Sequence, residues 1–159
     1  MDYIKNPTSS ASEILKGAIA FNWLRPENGL SLSSYTLNGI FPIPDGPSLD
    51  LACGDGTWSF YKAGGRFDFA FDSYAGASEL PLTQRDIVDK QMDVFDYCDN
   101  SYSPKIVVPS QFKFTYGLDH KESLIKKAEK LDFYEKLRLG SMVEKLPFGD
   151  NSFSYVYCN

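Results

Sequence analysis

Apolar and polar residues alternate with two different periods along this chain, and these periods predict its strands and helices. The predicted strands of the region after residue 47 are 48–51, 112–118, 137–142 and 154–158, and its predicted helices are 57–63 and 124–131. In chain order the elements run strand, helix, strand, helix, strand, strand. This order is typical of a parallel sheet with helices on its faces.

The second of these helices has an apolar face and a charged face. The apolar positions recur at helical spacing, which indicates a buried side, and three lysines are predicted to point into solvent. The residues are Leu124, Ile125, Ala128 and Leu131 on the first face and Lys126, Lys127 and Lys130 on the second.

The remaining segments are less regular. Ser10–Glu13 has the form of a capping box, and the apolar positions after it predict a helix over 10–24, followed by a turn-rich approach to the first strand. Phenylalanines alternate with other residues over 67–71, as in a half-buried strand. We interpret the loosely patterned segment 72–111, with one short helix near 83–92, as an insertion.

The composition fits one folded domain over residues 1–159. The chain has 159 residues, 43% of them hydrophobic and 15% aromatic, which is enough to bury a core. The net charge is −5 and the pI is near 4.8, so there is no excess of basic residues to neutralise phosphate groups. This balance argues against nucleic acid or an anionic membrane surface as the main partner.

The cysteines and the N-terminal residues indicate the cellular compartment in which we expect the protein. Cys53, Cys98 and Cys158 lie far apart, and with a single histidine they offer too few ligands for a zinc site, so we expect free thiols and no metal. The N-terminal residues show neither a basic segment before an apolar core nor an apolar run of about 18 residues. We therefore expect a cytoplasmic protein.

The most informative segment is the one that follows the first predicted strand. Asp50 is followed by Ala52-Cys53-Gly54-Asp55-Gly56, so an apolar run ends in an acid and then in Gly-x-Gly. Gly54 and Gly56 can adopt positive φ and carry no Cβ, so a ligand can approach the peptide planes there. Gly-x-Gly alone is weak evidence, but Asp119, after a second strand, and the segment 146–153 follow in a recognisable order.

With these motifs the chain resembles a class I S-adenosylmethionine-dependent methyltransferase, of the type 11 branch with an LPF-x-D-x-SF signature. The resemblance covers most of 48–159: Asp50 to Gly56 matches the first motif, with Ala52 in place of its first glycine, and Leu146 to Phe153 matches the signature. It implies a Rossmann-like, doubly wound α/β sheet with an insertion between the first helix and the second core strand. Residues 1–47 would form the N-terminal helix and approach segment.

The resemblance also implies a set of residues at S-adenosylmethionine and at its product S-adenosylhomocysteine. They are Asp50, Ala52, Cys53, Gly54, Gly56, Trp58, Leu118, Asp119, His120, Ser141, Met142 and Val143. Asp50 would face the ammonium group, the glycines the methionine part, and Asp119 the ribose hydroxyls. Leu118 and His120 would flank the adenine. The family's adenine-contacting acid is missing at 141–143, and no residue is identified as catalytic.

Several alternatives stay open at the level of sequence. Asp72 also follows a predicted strand and competes with Asp119 as the acid that ends the second core strand, although only Asp119 is followed at once by a clean amphipathic helix. A nucleotide-dependent oxidoreductase would place glycine or alanine where Ser59 stands. A third possibility is a methyltransferase-like binding module without activity. As an enzyme, the protein would methylate a small molecule or a glycan.

The family's sheet has seven strands, whereas this chain ends at the tip of the fourth. We therefore expect a fragment of a longer protein. An open fourth strand exposes unpaired backbone groups, so we also expect self-association through the edge at Ser154–Asn159.

Overall fold

The computed structural model describes residues 41–68, 71, 96, 98 and 102–158. Its elements in chain order are β1 (Ser48–Leu51), α1 (Thr57–Lys62), β2 (Arg66–Phe67), β3 (Ile106–Val108), β4 (Phe114–Asp119), α2 (Glu122–Glu129), β5 (Tyr134–Leu139) and β6 (Tyr155–Cys158). The helices predicted at 10–24 and 83–92, and Asp72, lie outside the described residues.

A four-stranded parallel sheet forms the centre of the fold. Its strand order is β5-β4-β1-β6, and each neighbouring pair is parallel. β2 and β3 pair antiparallel as a separate small sheet. The chain therefore has an α/β fold, and the predicted alternation from β1 to β6 is confirmed.

An aromatic core lies between the sheet and its helices. Phe60 of α1, Phe114 of β4 and Phe133 before β5 are almost fully buried. The ring of Phe133 meets the other two edge to face, with centroids 5.5 and 5.6 Å apart. Such pairs add to the stabilisation that burial provides. This packing fixes α1, and the turn before it, against β4 and β5.

Two predicted strands have different bounds in the structure. The strand expected over 67–71 ends at Phe67, because the N–H of Phe71 bonds to the carbonyl of Asp68 and turns the chain. The strand expected at 137–142 occupies Tyr134–Leu139, so Met142 lies in the turn that follows it. The aromatic pair Phe133 and Tyr134 belongs to the core, which places the strand earlier than its aliphatic residues suggested.

One lysine of α2 does not point into solvent. Lys127 is only 1% exposed and its Nζ lies 5.1 Å from the centre of the Tyr102 ring. Lys130 donates a hydrogen bond to the carbonyl of Tyr102 at 2.8 Å. The predicted insertion therefore packs on α2, and a residue that helical periodicity assigned to the surface is covered by a segment distant in sequence.

Strand β6 forms one edge of the described sheet, with β1 on its other side. Val156 on this strand is 54% exposed. The self-association expected at Ser154–Asn159 stays a prediction. No helix within the described ranges is long and apolar enough to cross a membrane.

Candidate functional site

The loop between β1 and α1, which we call the glycine turn (residues 52–56), has an unusual backbone. Ala52, Gly54 and Gly56 have φ angles of 57°, 58° and 76°. For Ala52 this conformation costs about 1–2 kcal/mol, because its Cβ approaches the backbone. Three left-handed residues in five fold the chain sharply back between β1 and α1.

Asp119 joins this turn to the next strand. Its Oδ2 accepts a hydrogen bond from the N–H of Gly54 at 2.9 Å, and its Oδ1 accepts one from the N–H of Lys121 at 2.9 Å. The N–H of Cys53 donates to the carbonyl of Leu118 at 3.0 Å. The carboxyl ends of β1 and β4 are thus connected by two hydrogen bonds, from Gly54 and Cys53, in the positions where ligands of open α/β sheets bind.

The structure also identifies the acid that ends the second core strand. β4 pairs in parallel with β1 and ends at Asp119. The strand that precedes Asp72 in the chain is β2, which pairs only with β3 among the described residues. Asp119 therefore occupies the predicted position, and its contact with a ribose stays a prediction.

The two glycines of the turn serve different purposes. A Cβ built on Gly56 would lie 2.7 Å from Cε2 of Tyr134, so Gly56 is required by packing. A Cβ built on Gly54 would have no atom of the described residues within 4 Å. Gly54 therefore faces open space, and an incoming ligand can lie directly against its peptide plane.

Asp50 supports the turn from inside the protein. Its side chain is 1% exposed, and its Oδ2 accepts a hydrogen bond from the hydroxyl of Tyr134 at 2.7 Å. Burial raises the pKa of Asp50 to about 6, although hydrogen bonds from Ser59 and Tyr134 oppose the shift. Tyr134 was not singled out from the sequence, because it lies 84 residues from Asp50 and only the fold brings them together.

Three carboxylates surround the turn and make it electronegative. Asp55, the third, accepts hydrogen bonds from the N–H and the hydroxyl of Thr57, which places its charge at the start of α1. Burial, and then the negative charges of Asp50, Asp119 and Asp55, raise the pKa of the Cys53 thiol. Cys53 is therefore neutral, and the potential of the turn favours a cationic group.

A second pair of side chains lies where β6 and α1 meet. The indole N–H of Trp58 donates a hydrogen bond to the hydroxyl of Tyr157 at 3.1 Å. Burial raises the pKa of Tyr157 to about 12, so this phenol keeps its proton at neutral pH. Trp58 is therefore a fluorescent probe of the region between β1 and β6, where the order of the strands in the sheet reverses.

The other predicted site residues differ in their exposure to solvent. Leu118 is fully buried, whereas His120 is exposed with its Nδ1 3.5 Å from Oδ1 of Asp119. Ser141, Met142 and Val143 follow β5, and the N–H of the preceding Gly140 bonds to the carbonyl of Asp119 at 2.9 Å. The exposed side chains of Met142 and Val143 thus lie in the loop next to Asp119.

The carboxylates at the turn accept hydrogen bonds and carry negative charge, so they are suited to an organic cation with hydroxyl groups. No group of three metal-binding side chains occurs in the part of the chain that the structure describes. No family model, curated protein or solved structure matches this chain.

Proposed function

We propose that the protein binds S-adenosylmethionine at the glycine turn and transfers its methyl group to a small molecule or a glycan. The observation that carries the proposal is the hydrogen bond from Gly54 to Asp119, which joins the carboxyl ends of two neighbouring parallel strands around an open approach. Together with the motif resemblance, it favours a cofactor that has a cationic end and ribose hydroxyls.

The sheet order supports this placement. Across the described sheet the core strands stand in the order third, second, first, fourth, which is compatible with part of the order 3-2-1-4-5-6 of doubly wound sheets. In such sheets the ligand lies outside the carboxyl ends of the strands, at the point where the order reverses. Here that point is between β1 and β6, next to Gly54 and Trp58.

The charge at the turn favours this cofactor over a dinucleotide. A pyrophosphate needs free backbone N–H groups and a positive potential. The N–H of Gly54 already donates to a carboxylate, and Asp50 and Asp55 add further negative charge. A sulfonium with an ammonium group is attracted by the same field that repels a pyrophosphate.

The residues at the turn are able to hold such a cofactor. A carboxylate has about four acceptor sites, and N–H groups of the described residues use two of those of Asp119, so it can still accept ribose hydroxyls. Gly54 leaves room for the methionine part. The bound cofactor supplies the reactive methyl group, and these residues contribute orientation and exclusion of water.

The compartment follows from the cysteines. Because all three are free thiols, we also propose that the protein is cytoplasmic.

A fluorescence titration tests the proposal. In a Trp23→Phe background, Trp58 is the remaining tryptophan, and S-adenosylhomocysteine should change its emission with saturation. Gly54→Ala should weaken this binding at least tenfold, because its Cβ projects into the approach that is open in the structure.

Gly64→Ala is the matched control. Gly64 also has a positive φ, 86°, and the atoms nearest to its Cβ would be those of the flexible side chain of Gln111, away from the glycine turn. Both substitutions place alanine at a positive φ, which costs about 1–2 kcal/mol. A difference between the two variants in their affinity for S-adenosylhomocysteine therefore reflects the ligand site and not this strain. Saturable binding of NADH without binding of S-adenosylhomocysteine would instead favour the oxidoreductase.

A further inference from the structure

The sheet face opposite Asp50 carries a second concave site. Leu49, Leu51 and Val156 form its floor, and the loop 145–153 forms its wall. The volume of this cleft is about 340 Å³, which is within the range of small-molecule sites. Because side chains alternate along β1, the cleft lies on the other side of the sheet from the Asp50–Tyr134 hydrogen bond.

Aromatic rings order the wall of the cleft. Phe148 and Phe153 of the loop pack edge to face, with centroids 4.9 Å apart, and both contact the ring of Tyr116 on β4. The signature segment recognised in the sequence thus encloses an apolar space in this structure. Val156 leaves part of the floor exposed.

Two cations lie over the same rings. The guanidinium of Arg138 lies 5.5 Å from the centre of Tyr116 and 5.6 Å from that of Phe148, and Nζ of Lys136 lies 5.4 Å from the centre of Tyr116. Lys145 lines the cleft itself. Among the described residues, no carboxylate lies within ion-pair distance of any of these three side chains.

This arrangement is notable in an acidic protein. With a net charge of −5, carboxylates outnumber cations along the chain, yet on this face Lys136 and Arg138 lie over the rings of Tyr116 and Phe148, and Lys145 lines the cleft whose wall includes Phe148. Asp150 also lines the cleft and opposes part of this positive charge, as an exposed charge like those of the three cations. The excess positive charge favours an anion whose apolar body fills the space beside it.

We propose that this cleft binds a free amphipathic carboxylate, a medium-chain aliphatic acid, with its chain against Leu51 and Val156 and its carboxylate at Arg138 and Lys145. Arg138 is the main specificity determinant, because a guanidinium already held on two rings loses little freedom when it forms a bidentate pair. The site is separate from the glycine turn and does not depend on the proposed methyl transfer.

Calorimetric titration of the full chain with three ten-carbon probes tests this proposal. Decanoate, decanamide and decylamine share one apolar chain and differ in the charge of the head group. We expect decanoate to bind at least tenfold more tightly than decanamide, and decylamine to bind most weakly. Equal affinities for decanoate and decanamide, or no binding at millimolar concentration, would overturn the proposal.

Single substitutions locate the site. Arg138→Gln should abolish the preference for decanoate over decanamide, Val156→Asp should weaken all three probes, and Asp150→Asn should strengthen decanoate binding. Lys126→Gln is the control, because Lys126 is an exposed cation on α2 that pairs with Glu122. Thermal melting of each variant checks that it is folded. An Arg138→Gln variant that behaves like Lys126→Gln would contradict the assignment.

Light scattering on the same samples completes the test. We expect the mass of the species that binds decanoate to be independent of the ligand. A dimer that decanoate neither dissociates nor binds would show that a second copy of the chain occupies this face, and the proposal would be wrong. Binding only to vesicles, with none to free decanoate, would contradict it as well.

Discussion

Asp119→Ala should lower both the stability of the protein and its affinity for the cofactor. The Asp119 carboxylate is 5% exposed and accepts the N–H groups of Gly54 and Lys121. A hydrogen bond to a charged group contributes about 1.5–3 kcal/mol, so we expect a loss of about 2–4 kcal/mol in the free energy of unfolding. Urea denaturation measures this loss.

The same substitution removes the acceptor for the ribose. We expect binding of S-adenosylhomocysteine to weaken roughly ten- to a hundredfold, measured on protein that denaturation curves show to be folded. Asp132→Ala is a suitable control, because Asp132 is an exposed aspartate whose partner is Lys113. Asp72→Ala should also have little effect on binding. If Asp72→Ala weakened binding and Asp119→Ala did not, the assignment of the ribose acceptor would be wrong.

Asp50 should make the stability of the protein fall as the pH rises from about 4 to 7. Its pKa is raised from 3.8 to about 6 in the folded protein, so the folded state holds a proton that the unfolded state releases in this interval. A shift of this size corresponds to about 3 kcal/mol. The stability that the protonated Asp50 provides is fully present below the lower pKa and is lost as the pH passes the higher one.

Asp50→Asn isolates this contribution from those of the other carboxylates. We expect the difference in unfolding free energy between Asp50→Asn and the unsubstituted protein to change by about 3 kcal/mol between pH 4 and pH 7, in favour of the variant at high pH. Tyr134→Phe removes a hydrogen bond that lowers the pKa, so it should move the transition to higher pH. A difference that is constant over this range would show that Asp50 is not held in a protonated state.

The features of the site that local pattern determines were predictable from the sequence. An acid at the end of an apolar run, followed at once by an amphipathic helix, placed Asp119 at the carboxyl end of a core strand, and β4 and α2 confirm this position. The sharp turn at Gly54 and Gly56 was likewise expected from the absence of Cβ atoms. In both cases neighbouring residues contain the information.

The features that depend on contacts distant in sequence were not predictable. Nothing near Asp50 indicated that Tyr134 would bond to it, and nothing near Lys127 indicated that Tyr102 would cover it. The cleft also depends on contacts between residues distant in sequence, because Arg138 meets Phe148 only after β5 and the following loop pack on the sheet. Helical and strand periods describe the face of an element but not the partner that covers it.

An amide-resolved titration tests the central claim most directly, because it shows where the ligand binds. In the nitrogen–proton correlation spectrum of the labelled full chain, S-adenosylhomocysteine should shift the amide of Gly54 most strongly among the glycines, and that of Gly140 should follow. The amide of Gly149, in the wall of the cleft, should stay unchanged. A spectrum in which S-adenosylhomocysteine leaves Gly54 unmoved at saturating concentration would contradict the claim that the glycine turn is the cofactor site.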